Sequence, residues 1–178
     1  MTALSSIDLT FDDTIEKAIR AEWDALERAG FSSLGAHRSD SNRPHLTLVV
    51  GTPLEIVDHP ATHDALRQPL PVTIGPPVLF GSGDRRVLAR LVTPTAELLE
   101  LQAAVHAAVN PQGLVAHSHP GVWVAHVTLA RRIRLDDLPQ ALGLLGDDIV
   151  GEATGMRLWN AVERTVTPLS ANPAEVAE

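Results

Sequence analysis

Two tetrapeptides constrain this chain more than any other feature: His45-Leu46-Thr47-Leu48 and His126-Val127-Thr128-Leu129. Each sits in a short run with the two-residue alternation of a strand. Residues two apart on a strand share a face. His45 and Thr47 therefore look one way while Leu46 and Leu48 look the other, and the second tetrapeptide has the same parity. A strand of this kind needs an apolar core behind it and a polar cleft in front of it. The segments around the two tetrapeptides follow one order, so the chain reads as an imperfect duplication of strand, helix, His-x-Thr strand and helix.

The surrounding pattern supports that order. Residues 4–10 read as a strand. Asp12 or Asp13 caps a helix to about residue 29, with Ile15, Ile19, Trp23 and Leu26 on or beside one face and Gly30 as the stop. Thr52-Pro53 reads as the start of a helix to about residue 67, interrupted by Pro60. Residues 69–80 are strand-like with a break at Pro76-Pro77, which suits an edge or bent strand. A turn at 81–84 leads to a strand at 86–92. A helix follows to about residue 109, with Leu98, Leu101, Val105 and Val109 as its stripe. A loop at 110–121 precedes a strand at 122–133, a short helix through 145, and one or two strands within 150–166. The expected fold is α+β: a bilobal pseudo-twofold duplication, two antiparallel sheets flanking a central cleft, helices outside. One domain spans 1–178, with lobes at roughly 1–75 and 76–168 and a tail at 169–178.

Apolar residues make up 44% of the 178 residues and aromatics only 3%, so the core must be built from Leu, Val, Ala and Ile. The chain has no cysteine, which removes disulfides, thiolate metal sites and cysteine nucleophiles. No stretch approaches the roughly 20 apolar residues of a membrane helix, and residues 1–10 do not read as a signal peptide, lacking a basic flank and a long apolar run. A cytoplasmic protein with no membrane partner is expected. The formal net charge of −8 disfavours a broad basic face for long nucleic acid. It suits a small phosphorylated ligand, or one RNA end, held by a local basic pocket.

The two tetrapeptides carry the chemistry. Residues two apart on a strand lie about 7 Å apart at the backbone, so a His and a Thr can converge on one small anion. A threonine hydroxyl can donate to a phosphate oxygen. Imidazoles titrate near neutrality, so one neutral and one protonated ring coexist near pH 7. That pair suffices for general acid–base catalysis at phosphorus. A single His-x-Thr is ordinarily structural; two, at matching places in a repeat, are hard to ascribe to chance.

The motifs HLTL and HVTL, with the order of elements around them, resemble the two-histidine (2H) phosphoesterase superfamily. The nearest branch is that of the 2′-5′ RNA ligase-like proteins, also called RNA 2′,3′-cyclic phosphodiesterases. The resemblance implies hydrolysis of the 2′,3′-cyclic phosphate of an RNA 3′ end or small nucleotide to a 2′-phosphate, in some members with reversible 2′-5′ ligation. It implies no metal and no cofactor. It makes His45 the proton donor to the departing 3′ oxygen and His126 the base that activates water. Thr47 and Thr128 would bind non-bridging phosphate oxygens, and Arg131 the phosphate. Strand parity by itself points to Arg132 in place of Arg131, and a bulge could reverse this. The protein is expected to act as a monomer. A module that binds phosphorylated RNA ends or nucleotides without turnover is the alternative.

The remaining candidates read as structural. Trp123, Trp159, Phe31 and Phe80 could stack a base, but each reads as core. His59 and His63 are four apart, yet Pro60 lies between them, so they do not read as a metal site. His117 and His119 lie in the loop before the second motif, near enough to reach a cleft mouth.

Overall fold

The computed structural model describes residues 4–39, 41–52, 54–56 and 69–169. Strand β1 (Ser5–Phe11) is followed by helix α1 (Asp13–Arg28) and strands β2 (His45–Gly51), β3 (Leu70–Phe80) and β4 (Arg85–Val92). Helix α2 (Ala96–Ala107), strand β5 (His126–Arg134), a short helix α3 (Leu138–Leu142), and strands β6 (Ile149–Asn160) and β7 (Thr165–Pro168) complete the order. The helix expected from residue 52 to 67 and the pair His59 and His63 lie outside the described residues. No described helix is long and apolar enough to cross a membrane.

The α+β architecture is the expected one. The strands form an antiparallel sheet in the order β2-β1-β6-β3-β4-β5, with β7 beside β6. The two sheets of the duplication are continuous with each other, because Leu70–Ile74 of β3 pairs with Ile149–Ala153 of β6. One half is β2-β1-β6 and the other is β5-β4-β3, so the half carrying His45 is completed by a strand from late in the chain. Beyond Ile74, β3 leaves β6 and pairs only with β4. Pro76-Pro77 sits in that register shift, where missing N–H groups cost least.

Helix α1 forms where its caps and stripe predict. Asp12 Oδ1 accepts the Ile15 N–H at 2.9 Å, and Ile15, Ile19, Trp23 and Leu26 are buried. Thr95 caps α2, which buries Leu98, Leu101, Gln102 and Val105. Each helix reaches the other half's His-x-Thr strand: α1 packs on β5 as well as β6, and α2 packs on β2. Leu46, Leu48, Val127 and Leu129 are buried in the core between them. Strand β5 starts at His126, not at Val122, because 122–125 makes no ladder.

Candidate active site

The duplication extends to single residues. Along β1–β2 the partners run Asp8↔Thr47 and Ile7↔Val49, which leaves Leu48 as an extra residue. Along β4–β5 they run Ala89↔Thr128 and Leu88↔Ala130, which leaves Leu129 as the extra residue. The same β-bulge thus follows each threonine and reverses the parity of the strand. Leu48 and Val49 are both buried, as are Leu129 and Ala130. The bulge returns Arg131 to the face of His126 and Thr128. A second irregularity sets Arg131 and Arg132 against Val87, with Arg132 at φ 61°. Arg131 lines a cavity together with His45 and Thr47.

Both histidines are held alike. His45 Nδ1–H donates to the Arg43 carbonyl, and His126 Nδ1–H to the Val124 carbonyl, each at 2.7 Å. A carbonyl only accepts, so the proton of each neutral ring is fixed on Nδ1 and Nε2 is left for chemistry. The Arg43 carbonyl is itself held in place. The Arg43 guanidinium donates twice to Glu16 Oε2, at 2.9 and 2.6 Å, and Arg20 Nη2 donates to the Asn42 carbonyl. Burial alone would raise the Glu16 carboxyl; hydrogen bonds from Arg43 and Arg20 outweigh it and hold the group below its ordinary value.

β2 and β5 end the sheet order, and their edges come together. Their outer carbonyls would be unpaired there, and indoles cap them. Trp123 Nε1–H donates to the Thr47 carbonyl at 2.9 Å and Trp23 Nε1–H to the Thr128 carbonyl at 3.1 Å. Gln102 Nε2 continues the row by donating to Leu48 and Ser118 carbonyls. Trp123→Phe keeps the ring but removes the donor, leaving a carbonyl unsatisfied. It is expected to cost about 1–3 kcal/mol, read as a lower urea midpoint at constant slope. Beyond the bulges, the Val50 carbonyl of β2 accepts the Val115 N–H, the Thr52 N–H just after β2 donates to the Gly113 carbonyl, and the Arg131 N–H of β5 donates to the Ser32 carbonyl. Gly113 has φ 83°, and a Cβ there would strike the Thr52 carbonyl, so this position requires glycine.

The two halves differ in polarity. Across β2-β1-β6, directly opposed residues give the row Thr47, Asp8 and Arg157 on one face. Thr47 Oγ1–H donates to Asp8 Oδ1 at 2.9 Å, and Arg157 Nε lies 3.5 Å from Asp8 Oδ2. The matching row across β5-β4-β3 is Thr128, Ala89 and Val78. The Thr128 hydroxyl makes no hydrogen bond among the described residues, whereas that of Thr47 is engaged. Asp8 and Arg157 escaped sequence reasoning; an aspartate and an arginine at the cleft-facing phase of apolar strands were the available signal.

His126 is half-buried, with the Phe80 ring 4.5 Å from its own, centroid to centroid. Burial lowers its pKa; the hydrogen bond to Val124 opposes the shift, and the charges of His45 and His117 add to it. The two motif histidines are therefore within electrostatic reach of each other. Phe80 belongs beside the cleft and not in the core as its sequence context suggested. Trp159 lines the cavity, whereas Trp123 and Phe31 pack against the core. The His119 ring packs 4.7 Å from that of His106, whose pKa is lowered by burial and by His119.

A family model described as the 2′-5′ RNA ligase superfamily matches residues 15–167. The chain belongs to this superfamily of two-histidine phosphoesterases. Solved structures similar to it include Kluyveromyces marxianus Usb1 with uridine monophosphate, at 12% identity and TM-score 0.48, and Kluyveromyces marxianus Usb1, at 13% and 0.49. Each alignment covers 94% of this chain and 98% of the other. No curated protein matches the sequence significantly.

Proposed function

We propose that this 2H family member is a phosphodiesterase that opens a nucleoside or RNA 2′,3′-cyclic phosphate to a 2′-phosphate. The observation that carries the reading is the matched pair of imidazoles, each fixed by a carbonyl two residues back so that Nε2 is free. Water gives a proton to His126 Nε2 as its oxygen bonds to phosphorus. The bond from phosphorus to the 3′ oxygen breaks, and that oxygen takes a proton from His45 Nε2. The product is a 2′-phosphate with a free 3′ hydroxyl, and the two rings return to their starting states through solvent. Thr128 and Arg131 hold the non-bridging oxygens. Thr47 joins them by exchanging its bond to Asp8 for one to phosphate, while Arg157 continues to balance the Asp8 charge.

The depressed pKa of His126 supports its role as base, because its neutral form persists to lower pH. A base must be unprotonated to work, so activity falls as pH drops through its pKa. The acid limb of kcat/KM is thus expected below the ordinary imidazole value of about 6.5. Phe80→Ala exposes the ring, relieves the burial that depresses it, and should move that limb upward. A wild-type acid limb at or above the ordinary value would count against this assignment. The first test of the reading is turnover of a nucleoside 2′,3′-cyclic phosphate with chelator present, the 2′-phosphate identified by phosphorus NMR.

A further inference from the structure

The cavity beside His45 is larger than a cyclic phosphate needs. It measures about 470 Å³, and His37, His45, Thr47, Arg131, Arg157 and Trp159 are among the residues that line it. A space of this size accommodates a nucleotide-sized ligand. Its lining is cationic although the chain as a whole carries −8. Two guanidiniums and two imidazoles face it, against one described carboxylate, Asp8. Asp8 is already committed to Thr47 and Arg157.

Arg157 is the unusual member. It is 8% exposed, and its Nε has no hydrogen-bond partner although it lies near Asp8. Nη1 donates to the Ser41 carbonyl at 2.9 Å, and Nη2 makes no hydrogen bond among the described residues. A buried guanidinium costs folding free energy unless its donors are used. Arg157 lines the cavity, and so does an exposed His37 whose ring has no partner among the described residues.

The direction of the reaction says what lies there. If His45 protonates the departing 3′ oxygen, the nucleoside bearing that oxygen occupies the His45 side of the cleft. We propose that Arg157 and His37 form a subsite for the 5′-phosphate of that nucleoside, with Trp159 lining the nucleoside space. This rests on the phosphodiesterase reading and names its substrate class: a 5′-phosphorylated nucleoside 2′,3′-cyclic phosphate, supplied by an RNA 3′ end or a free nucleotide.

The test compares three substrates sharing one base: the cyclic phosphate with a 5′ hydroxyl, with a 5′-phosphate, and within a dinucleotide joined at its 5′ oxygen. A charge-assisted contact predicts kcat/KM at least about tenfold higher for the phosphorylated forms. Gain by the dinucleotide alone identifies an RNA end as the ligand; equal gain by the 5′-phosphate identifies the shared phosphate. In Arg157→Gln that ratio should fall close to one, and in the exposed variant His37→Ala it should fall part-way. A folding defect lowers all three rates together and leaves the ratio unchanged, so the ratio isolates the subsite. Equal wild-type rates on all three substrates would remove the subsite and leave the phosphodiesterase reading standing. No turnover of any would remove both.

Discussion

Replacing either motif histidine by alanine is expected to lower kcat on a 2′,3′-cyclic phosphate by about 10²–10⁴-fold, the usual range for a positioned acid or base. Neither ring is a core residue, and each makes one described hydrogen bond, to a carbonyl of its own strand's lead-in. Thermal stability should therefore change little, which separates lost chemistry from lost fold. Acid and base act in one transition state, so the double variant should be scarcely worse than the poorer single one. The two roles can be told apart with an aryl phosphodiester whose leaving oxygen needs no proton. His45→Ala should recover most of its rate on that substrate, and His126→Ala should not, because water still needs a base. A double variant with wild-type turnover would end the two-imidazole account, as would equal recovery of both singles.

Much of this geometry was legible because strand parity is rigid: His45 with Thr47, and His126 with Thr128, could face nowhere but together. The caps at Asp12 and Thr95 and the stripes of both long helices were equally local signals. Parity failed one residue later. It pointed to Arg132, and a bulge at Leu129, invisible in the residue types, brought Arg131 back to the cleft. The same blindness hid the row Thr47, Asp8 and Arg157, since register joins residues from the start and the end of the chain. It also hid which aromatics serve the core. Trp23 and Trp123 cap carbonyls of edge strands, a need that exists only once two sheet edges meet, and Phe80 follows a proline-kinked strand out beside His126. Acid and base could not be ranked from motifs of identical form. The burial that lowers the His126 pKa is a property of the packed halves, which no motif spells out.

The largest stability effect is expected at Arg90 and Glu22, two charged residues 2% and 6% exposed. Arg90 Nε and Nη2 both donate to the Glu22 carboxylate, Nη1 to the Gly75 carbonyl and Nη2 to the Gly146 carbonyl; the Gly146 N–H donates back to Glu22. These contacts join α1, β3, β4 and the segment entering β6, so they tie the seam where β3–β6 pairing makes the two half-sheets continuous. Glu22→Gln or Arg90→Met strands one charge or several acceptors in the core. Each is expected to cost about 3–5 kcal/mol, a fall in Tm of roughly 10 °C for a chain this long. By the register of the repeat, the residue matching Arg90 in the other half is Leu9, fully buried among apolar neighbours, so the fold itself does not demand a charge here. Replacing both partners by methionine should therefore recover part of the loss, and only part, because the Gly75 and Gly146 carbonyls stay unpaired. A loosened seam also lets the half carrying His45 shift against the half carrying His126. The single variants should then lose activity below their melting range, with kcat falling more than KM rises. Single variants as stable as wild type would show that the pair does not hold the seam.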